Sequence, residues 1–124
     1  MKEIAFVFLG SGLGGVTRYS LGRWVNSLHS LNFPLGTFSV NIIACFIIGF
    51  LTGLIDHRQM LSESSRLLWV VGFCGGFSTF SAFSSETLNL FQQGHNLNMI
   101  LYILGSVLLC VSFTFLGLYL AEKI

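Results

Sequence analysis

The chain has 124 residues, a net charge of +1, 53% hydrophobic residues and only 9% charged residues. Soluble domains contain about 25% charged residues on average. This composition therefore excludes an ordinary soluble protein and indicates a protein embedded in a lipid bilayer.

Uncharged stretches divide the chain into four predicted membrane helices. No Asp, Glu, Lys or Arg lies between Arg23 and Asp56 or between Glu86 and Glu122, and about 20 apolar residues suffice to cross a bilayer. We predict an all-α protein with one transmembrane domain over 1–124. Its spans are expected at about 4–28, 35–55, 67–91 and 97–121, and the first is expected to be retained rather than cleaved as a signal peptide.

The cationic residues give little preference for one orientation in the membrane. Four spans place both termini on one side, and the cations divide between the two sides. The terminal side holds Lys2, Arg58, Arg66 and Lys123, and the other side holds Arg18 and Arg23. Because a cationic excess normally fixes orientation, we hypothesise that both orientations form and pair as an antiparallel homodimer.

Small-residue repeats on three of the predicted helices favour close helix packing. They are Gly10 with Gly14, Gly49 with Gly53, and Gly72 with Gly76. We expect contacts there, including contacts between subunits. Since glycine is frequent in membrane helices, chance spacing is the alternative.

The stretch GFCGGFSTFSAFSSE at 72–86 combines aromatic rings, hydroxyls and glycines in the third predicted helix. Phenylalanine and serine each recur every three residues in it, which packing alone would also explain. The tandem Gly75 and Gly76 predict a break in the helix near Gly75–Phe80. Irregular backbone at membrane depth survives only inside protein or along a cavity, so carbonyls exposed there would suit a small hard cation.

The other polar groups in the predicted spans present partial positive charge. Asn41 offers amide hydrogens, and Tyr102 and Ser106 offer hydroxyls on one helical face. Phenyl edges are electropositive as well. Such a lining suits a small anion, and Arg18 either gathers anions at a vestibule or extends to the interface.

Three segments together resemble the Fluc, or CrcB, family of fluoride channels of microbial membranes. They are GGVTR at 14–18, GTFSVN at 36–41 and the 72–86 stretch, which is similar to that family's third-helix signature. The resemblance covers essentially the whole chain. It implies a fluoride channel that exports cytoplasmic fluoride passively through two pores of an antiparallel, dual-topology dimer in the bacterial inner membrane.

The resemblance also implies residue roles. The carbonyls of Gly75 and Ser78 would bind a structural sodium ion at the dimer centre. The expected fluoride pathway consists of Asn41, Phe80, Ser81, Phe83, Tyr102 and Ser106, with Arg18 in the vestibule. The roles of Thr79 and Glu86 stay open. Cys110 and Ala82 depart from the family pattern, where a hydroxyl and a threonine are common.

Other functions agree less well with the sequence. A small multidrug exporter needs a membrane-embedded glutamate in its first helix, and only Glu3 precedes Asp56. A structural membrane subunit would use the glycines and phenylalanines for packing alone. We expect no enzymatic activity, because no nucleophile, base and orienting group assemble from these residues. Membrane lipid, fluoride and a second copy are the expected partners, and no nucleic acid is expected.

Overall fold

The computed structural model describes the whole chain, from Met1 to Ile124, as four long helices without a strand. The helices are α1 (Lys2–Ser27), α2 (Leu35–Arg58), α3 (Glu63–Gln92) and α4 (Asn96–Lys123). Each is long and apolar enough to cross a membrane. The prediction of an all-α chain with four helices able to span a membrane is therefore confirmed.

Helices α2 and α4 pack most extensively, because glycines let their backbones touch. A Cβ atom on Gly49 would overlap the carbonyl of Thr114, and one on Gly117 would overlap the carbonyl of Phe46. A Cβ atom on Gly53 would overlap the Cβ of Ala121 and crowd the carbonyl of Leu118. The residues of α2 and α4 that touch are thus 65 to 71 positions apart in the chain, and this register places the polar groups of the two helices.

Helix α1 packs against the first half of α3, again through glycine. Gly10 meets the backbone of Gly72, and Gly14 meets the carbonyl of Phe73. Between Leu67 and Cys74 this half of α3 is wound as a wider π-helix. The glycine repeats predicted from the sequence therefore make their close contacts inside one subunit.

Helix α3 is interrupted halfway along its length. Its first half ends at Phe77, Ser78 and Thr79 are extended (ψ 154° and 120°), and the second half runs over Phe80–Gln92. The interruption lies within the predicted region, but its immediate cause differs from the expected one. Gly75 and Gly76 are themselves helical, and Gly76 is needed for a close approach to the Ser11 carbonyl.

A small buried cluster holds the break against α2. It consists of Val40 and Ala44 of α2 with Phe77 of α3. Phe77 is the last residue before the extended pair, so burying its ring fixes where the first half of α3 ends. Most other large apolar side chains are exposed, as expected for helices that face lipid.

Candidate functional site: the broken helix and two adjoining cavities

Asn41 of α2 binds the interrupted backbone of α3. The Thr79 N–H donates to Asn41 Oδ1 at 2.9 Å, and Asn41 Nδ2 donates to the Thr79 carbonyl at 3.1 Å. An amide side chain both donates and accepts, so one residue satisfies both backbone groups of Thr79 at the break. The second Nδ2 hydrogen is left over for a ligand.

The second half of α3 begins with an N-cap. Thr79 Oγ1 accepts a hydrogen bond from the Ala82 N–H at 3.2 Å, and Thr79 Oγ1 lies 3.2 Å from Ser81 Oγ. The first turn of a helix carries N–H groups without partners inside the helix and a partial positive charge. The break therefore presents a helix amino end in the middle of a membrane span.

A cavity of about 270 Å³ lies between α2, the break and α4. Predicted site residues supply most of its lining: Asn41, Ser78, Thr79, Phe80, Phe83 and Ser106. Cys45, Val107 and Cys110 complete it. The structure thus gathers into one cavity six of the predicted residues from three helices, together with Cys110, one of the two departures from the family pattern.

Two groups in this cavity have features that suit a small anion. The rings of Phe80 and Phe83 lie 5.4 Å apart at 44° to each other, so their edges and faces point in different directions. The hydroxyl oxygen of Ser106 is buried and has no hydrogen-bond partner. A buried polar group without a partner is costly, and a ligand in the cavity would relieve that cost.

A second cavity of about 350 Å³ lies on the other side of the break. Its lining includes Arg18, Arg23, Thr79, Ala82 and Glu86. Thr79 belongs to both cavities, so the break forms the wall between them. Arg18 extends into this second cavity, where its Nε donates to the Gly76 carbonyl at 3.2 Å.

Glu86 connects three helices through its carboxylate. Thr37 Oγ1 of α2 donates to one oxygen at 2.7 Å, and the Tyr102 hydroxyl of α4 donates to the other at 2.8 Å. Tyr102 is 0% exposed and lies outside the lining of both cavities. Its single proton is donated to Glu86, whereas Ser106 lines the first cavity.

The carbonyls of Gly75 and Ser78 lack their ordinary helical partners. In an unbroken helix the Thr79 N–H would donate to the Gly75 carbonyl, but it donates to Asn41 instead. The Ser78 carbonyl accepts no hydrogen bond in this chain. Free carbonyls at the carboxyl end of a half-helix carry partial negative charge and are typical ligands of small cations in membrane proteins.

Ser81 lies outside both cavities, on an exposed face of the second half of α3. Sequence reasoning missed Thr37 and Cys45. Thr37 could have been found from Glu86, because an acid within a predicted membrane span needs a partner. Nothing in the local sequence marks Cys45, since only the register of α2 against α4 brings it to the cavity.

Comparison with known proteins places these features in a family. Residues 5–118 match the family described as CrcB-like protein, Camphor Resistance (CrcB). Two similar relatives are both named fluoride-specific ion channel FluC. That of Magnetococcus marinus is 45% identical over 98% of this chain and 99% of its own length. That of Pyrococcus furiosus is 43% identical over 99% of this chain and 98% of its own length.

A third FluC protein, from Phocaeicola vulgatus, is 41% identical over 98% of this chain and its entire own length. All three relatives are named as ion channels, which is a non-enzymatic activity and agrees with the expectation that this chain is not an enzyme. The matches extend through all four helices and both cavities. The chain therefore belongs to the CrcB family of membrane proteins, the family that its three sequence motifs resemble.

Proposed function

We propose that this protein is a fluoride-selective ion channel that conducts the anion passively. One observation carries the proposal: a single cavity at the helix break joins Asn41, Ser106, Phe80 and Phe83, in a chain that is more than 40% identical to proteins named as fluoride channels. Fluoride is small and strongly hydrated. Only closely spaced hydrogen donors and ring edges can replace its water without a large desolvation cost.

The proposed passage is arranged around the break. The spare Asn41 hydrogen and the unpartnered Ser106 hydroxyl would replace water on one side of the ion, and phenyl edges would do so on the other. The amino end of the second half of α3 adds a positive field. A cation would find no carboxylate or ring of carbonyls in this cavity.

We further propose that two antiparallel copies complete the channel. Gly75 is exposed halfway along α3, the Ser78 carbonyl has no partner, and Phe80 is 78% exposed. Lipid cannot satisfy backbone polar groups at that depth, and a second copy of the chain would cover them. The nearly balanced cationic residues permit both orientations. Two copies would then form two pores.

The same carbonyls support a structural sodium ion at the centre of this dimer. Gly75 and Ser78 from two copies would offer four backbone oxygens, a donor set that suits a hard cation. The ion would neutralise their converging partial charges. Crosslinking in detergent tests both ideas, because replacing Na⁺ by N-methylglucamine should shift dimer toward monomer. An equal amount of crosslinked dimer in Na⁺ and in N-methylglucamine would contradict the sodium site. A monomer in both solutions would contradict the dimer.

The chain is a multi-pass membrane protein, and we place it in the inner membrane of a bacterium. A negative interior there drives an anion outward by about 2.3 kcal/mol per 100 mV. No coupling ion is required for export. Passive conduction is therefore sufficient to lower cytoplasmic fluoride.

Efflux from liposomes tests the proposal. Purified protein is reconstituted, and fluoride release is followed with an electrode beside an identical chloride experiment. We expect release of fluoride only. Phe80→Ile and Phe83→Ile should each reduce release strongly, whereas Phe115→Ile, on an exposed face of α4, should not.

Either of two results would overturn the proposal. Liposomes that retain fluoride would support a structural membrane subunit instead. Undiminished release from both pathway variants would exclude ring-edge coordination at these phenylalanines.

A further inference from the structure

Two free cysteines face each other across the α2–α4 contact. Gly49 lies against Thr114, and Cys45 and Cys110 each lie one helical turn earlier, at the same spacing of 65 positions. Both thiols are half-buried, and both line the 270 Å³ cavity. The matching spacing along α2 and α4 and the shared cavity lining thus place the two thiols together, and neither thiol is fully buried.

The thiol pair adjoins polar groups of the proposed passage. The same register places Asn41 beside Ser106 one turn earlier, and these two line the cavity as well. The thiol pair is therefore the next layer along the proposed fluoride passage.

The surroundings of the pair determine which ligand it suits. No group of three or more Cys, His, Asp or Glu residues converges anywhere in the chain. A tetrahedral Zn²⁺ site would need such a group. Two sulfur ligands alone suit soft d¹⁰ cations that accept linear, two-coordinate geometry, because soft metals prefer thiolates.

We propose that Cys45 and Cys110 form a binding site for one soft, two-coordinate metal cation, such as Cu⁺, Ag⁺ or Hg²⁺, and that the bound ion closes the channel. The closing effect rests on the proposed function, whereas binding does not. Each thiol releases its proton to water as a sulfur–metal bond forms, and no oxidation occurs. Proton release makes binding stronger at higher pH.

Closure follows from the position of the bound ion. An ion held between α2 and α4 would occupy the part of the cavity beside Asn41 and Ser106. It would also fix the two helices to each other at that level. Fluoride could then no longer pass this layer.

The binding test uses the purified full-length protein and Hg²⁺ in chloride-free nitrate buffer. We expect one Hg²⁺ per chain, with sulfur-to-mercury absorption in the ultraviolet and two sulfur neighbours by X-ray absorption. Cys45→Ser and Cys110→Ser should each weaken binding by about 10–100-fold or more, because even outer partners of metal ligands have effects of that size. Cys74→Ala should bind as the unmodified chain does, since Cys74 is buried in α3 outside the cavity lining.

Fluoride efflux from liposomes is then measured with and without Hg²⁺, each variant being compared with its own metal-free rate. We expect micromolar Hg²⁺ to stop efflux for the unmodified chain and for Cys74→Ala, but not for either serine variant. Size-exclusion profiles verify that each variant is folded. Block that persists in both serine variants would overturn the proposal, as would a single sulfur neighbour.

The two proposals fail in different ways. If the channel assignment is wrong, metal-free liposomes release no fluoride, yet Hg²⁺ still binds with two sulfur neighbours. If the thiol site is wrong, metal-free efflux proceeds and binding is insensitive to Cys45→Ser and Cys110→Ser.

Discussion

Replacing Asn41 by alanine should destabilise the break in α3. The change removes the hydrogen bonds of 2.9 Å and 3.1 Å that join Asn41 to the Thr79 backbone. Each buried polar group left without a partner costs about 1–3 kcal/mol, and two are released. Because Thr79 lines both cavities, water can reach these groups, so we expect the lower limit of that sum, about 2 kcal/mol.

Two measurements would detect this change. Unfolding of the protein in mixed detergent micelles, followed by tryptophan fluorescence, gives the difference in free energy of unfolding. Hydrogen exchange reports on the Thr79 amide, whose local opening equilibrium should rise by about 30-fold, since 1.4 kcal/mol corresponds to a factor of 10. Ser112→Ala is the matched control, because that exposed hydroxyl bonds only the Leu108 carbonyl of its own helix.

We expect the control to change stability by less than about 0.5 kcal/mol. Should Asn41→Ala be equally neutral, with the Thr79 amide still protected, Asn41 would not hold the break in α3. Asn41→Asp tests the two hydrogen bonds to Thr79 separately. It keeps an acceptor for the Thr79 N–H, loses the donor and adds a negative charge, so it should abolish fluoride efflux.

Two further substitutions test packing and the carboxylate network. Gly49→Ala would drive a Cβ into the backbone of α4 and should destabilise the protein by about 1–3 kcal/mol, whereas Gly12→Ala meets no atom within 4 Å and should be neutral or stabilising by up to about 1 kcal/mol. Equal unfolding curves for both alanine variants would contradict the α2–α4 contact. Tyr102→Phe removes the 2.8 Å hydrogen bond to Glu86 and should cost about 1 kcal/mol, while the exposed Tyr119→Phe should cost nothing measurable. A neutral Tyr102→Phe would show that Glu86 finds an equivalent donor.

The helices were predictable from the sequence because their signals are local. Charge-free stretches of sufficient length fix the spans, and the observed bounds extend beyond the predicted ones mainly at helix ends that carry charged residues, such as Glu63 and Lys123. The contacts between helices were less predictable. Gly49 was correctly expected to pack closely, but only the fold shows that its neighbour is Thr114 of the same chain.

The hydrogen-bond partners of the polar side chains could not be predicted from the local sequence, for a physical reason. The type of a residue determines how many hydrogen bonds its side chain can make, but it does not determine which groups the side chain bonds. The sequence places the Tyr102 hydroxyl on the expected fluoride pathway, yet a carboxylate accepts a charge-assisted hydrogen bond more strongly than a neutral group does, and the Tyr102 hydroxyl donates to Glu86 at 2.8 Å. Arg18 Nε similarly donates a hydrogen bond to the Gly76 carbonyl at 3.2 Å, a partner that the local sequence does not indicate.

The location of the break illustrates how a distant residue decides a local structure. Gly75 and Gly76 have the weakest helix propensity in this part of α3, yet both are helical. The backbone leaves the helix at Ser78 and Thr79, where Asn41 supplies replacement partners for one N–H and one carbonyl. In a membrane, an unsatisfied backbone group costs more than a poor propensity. A helix in a membrane therefore breaks where side chains outside it can bond the freed backbone groups. If the asparagine were transferred from residue 41 to a position one helical turn away in α2, we expect α3 to become continuous rather than to break at Gly75 and Gly76.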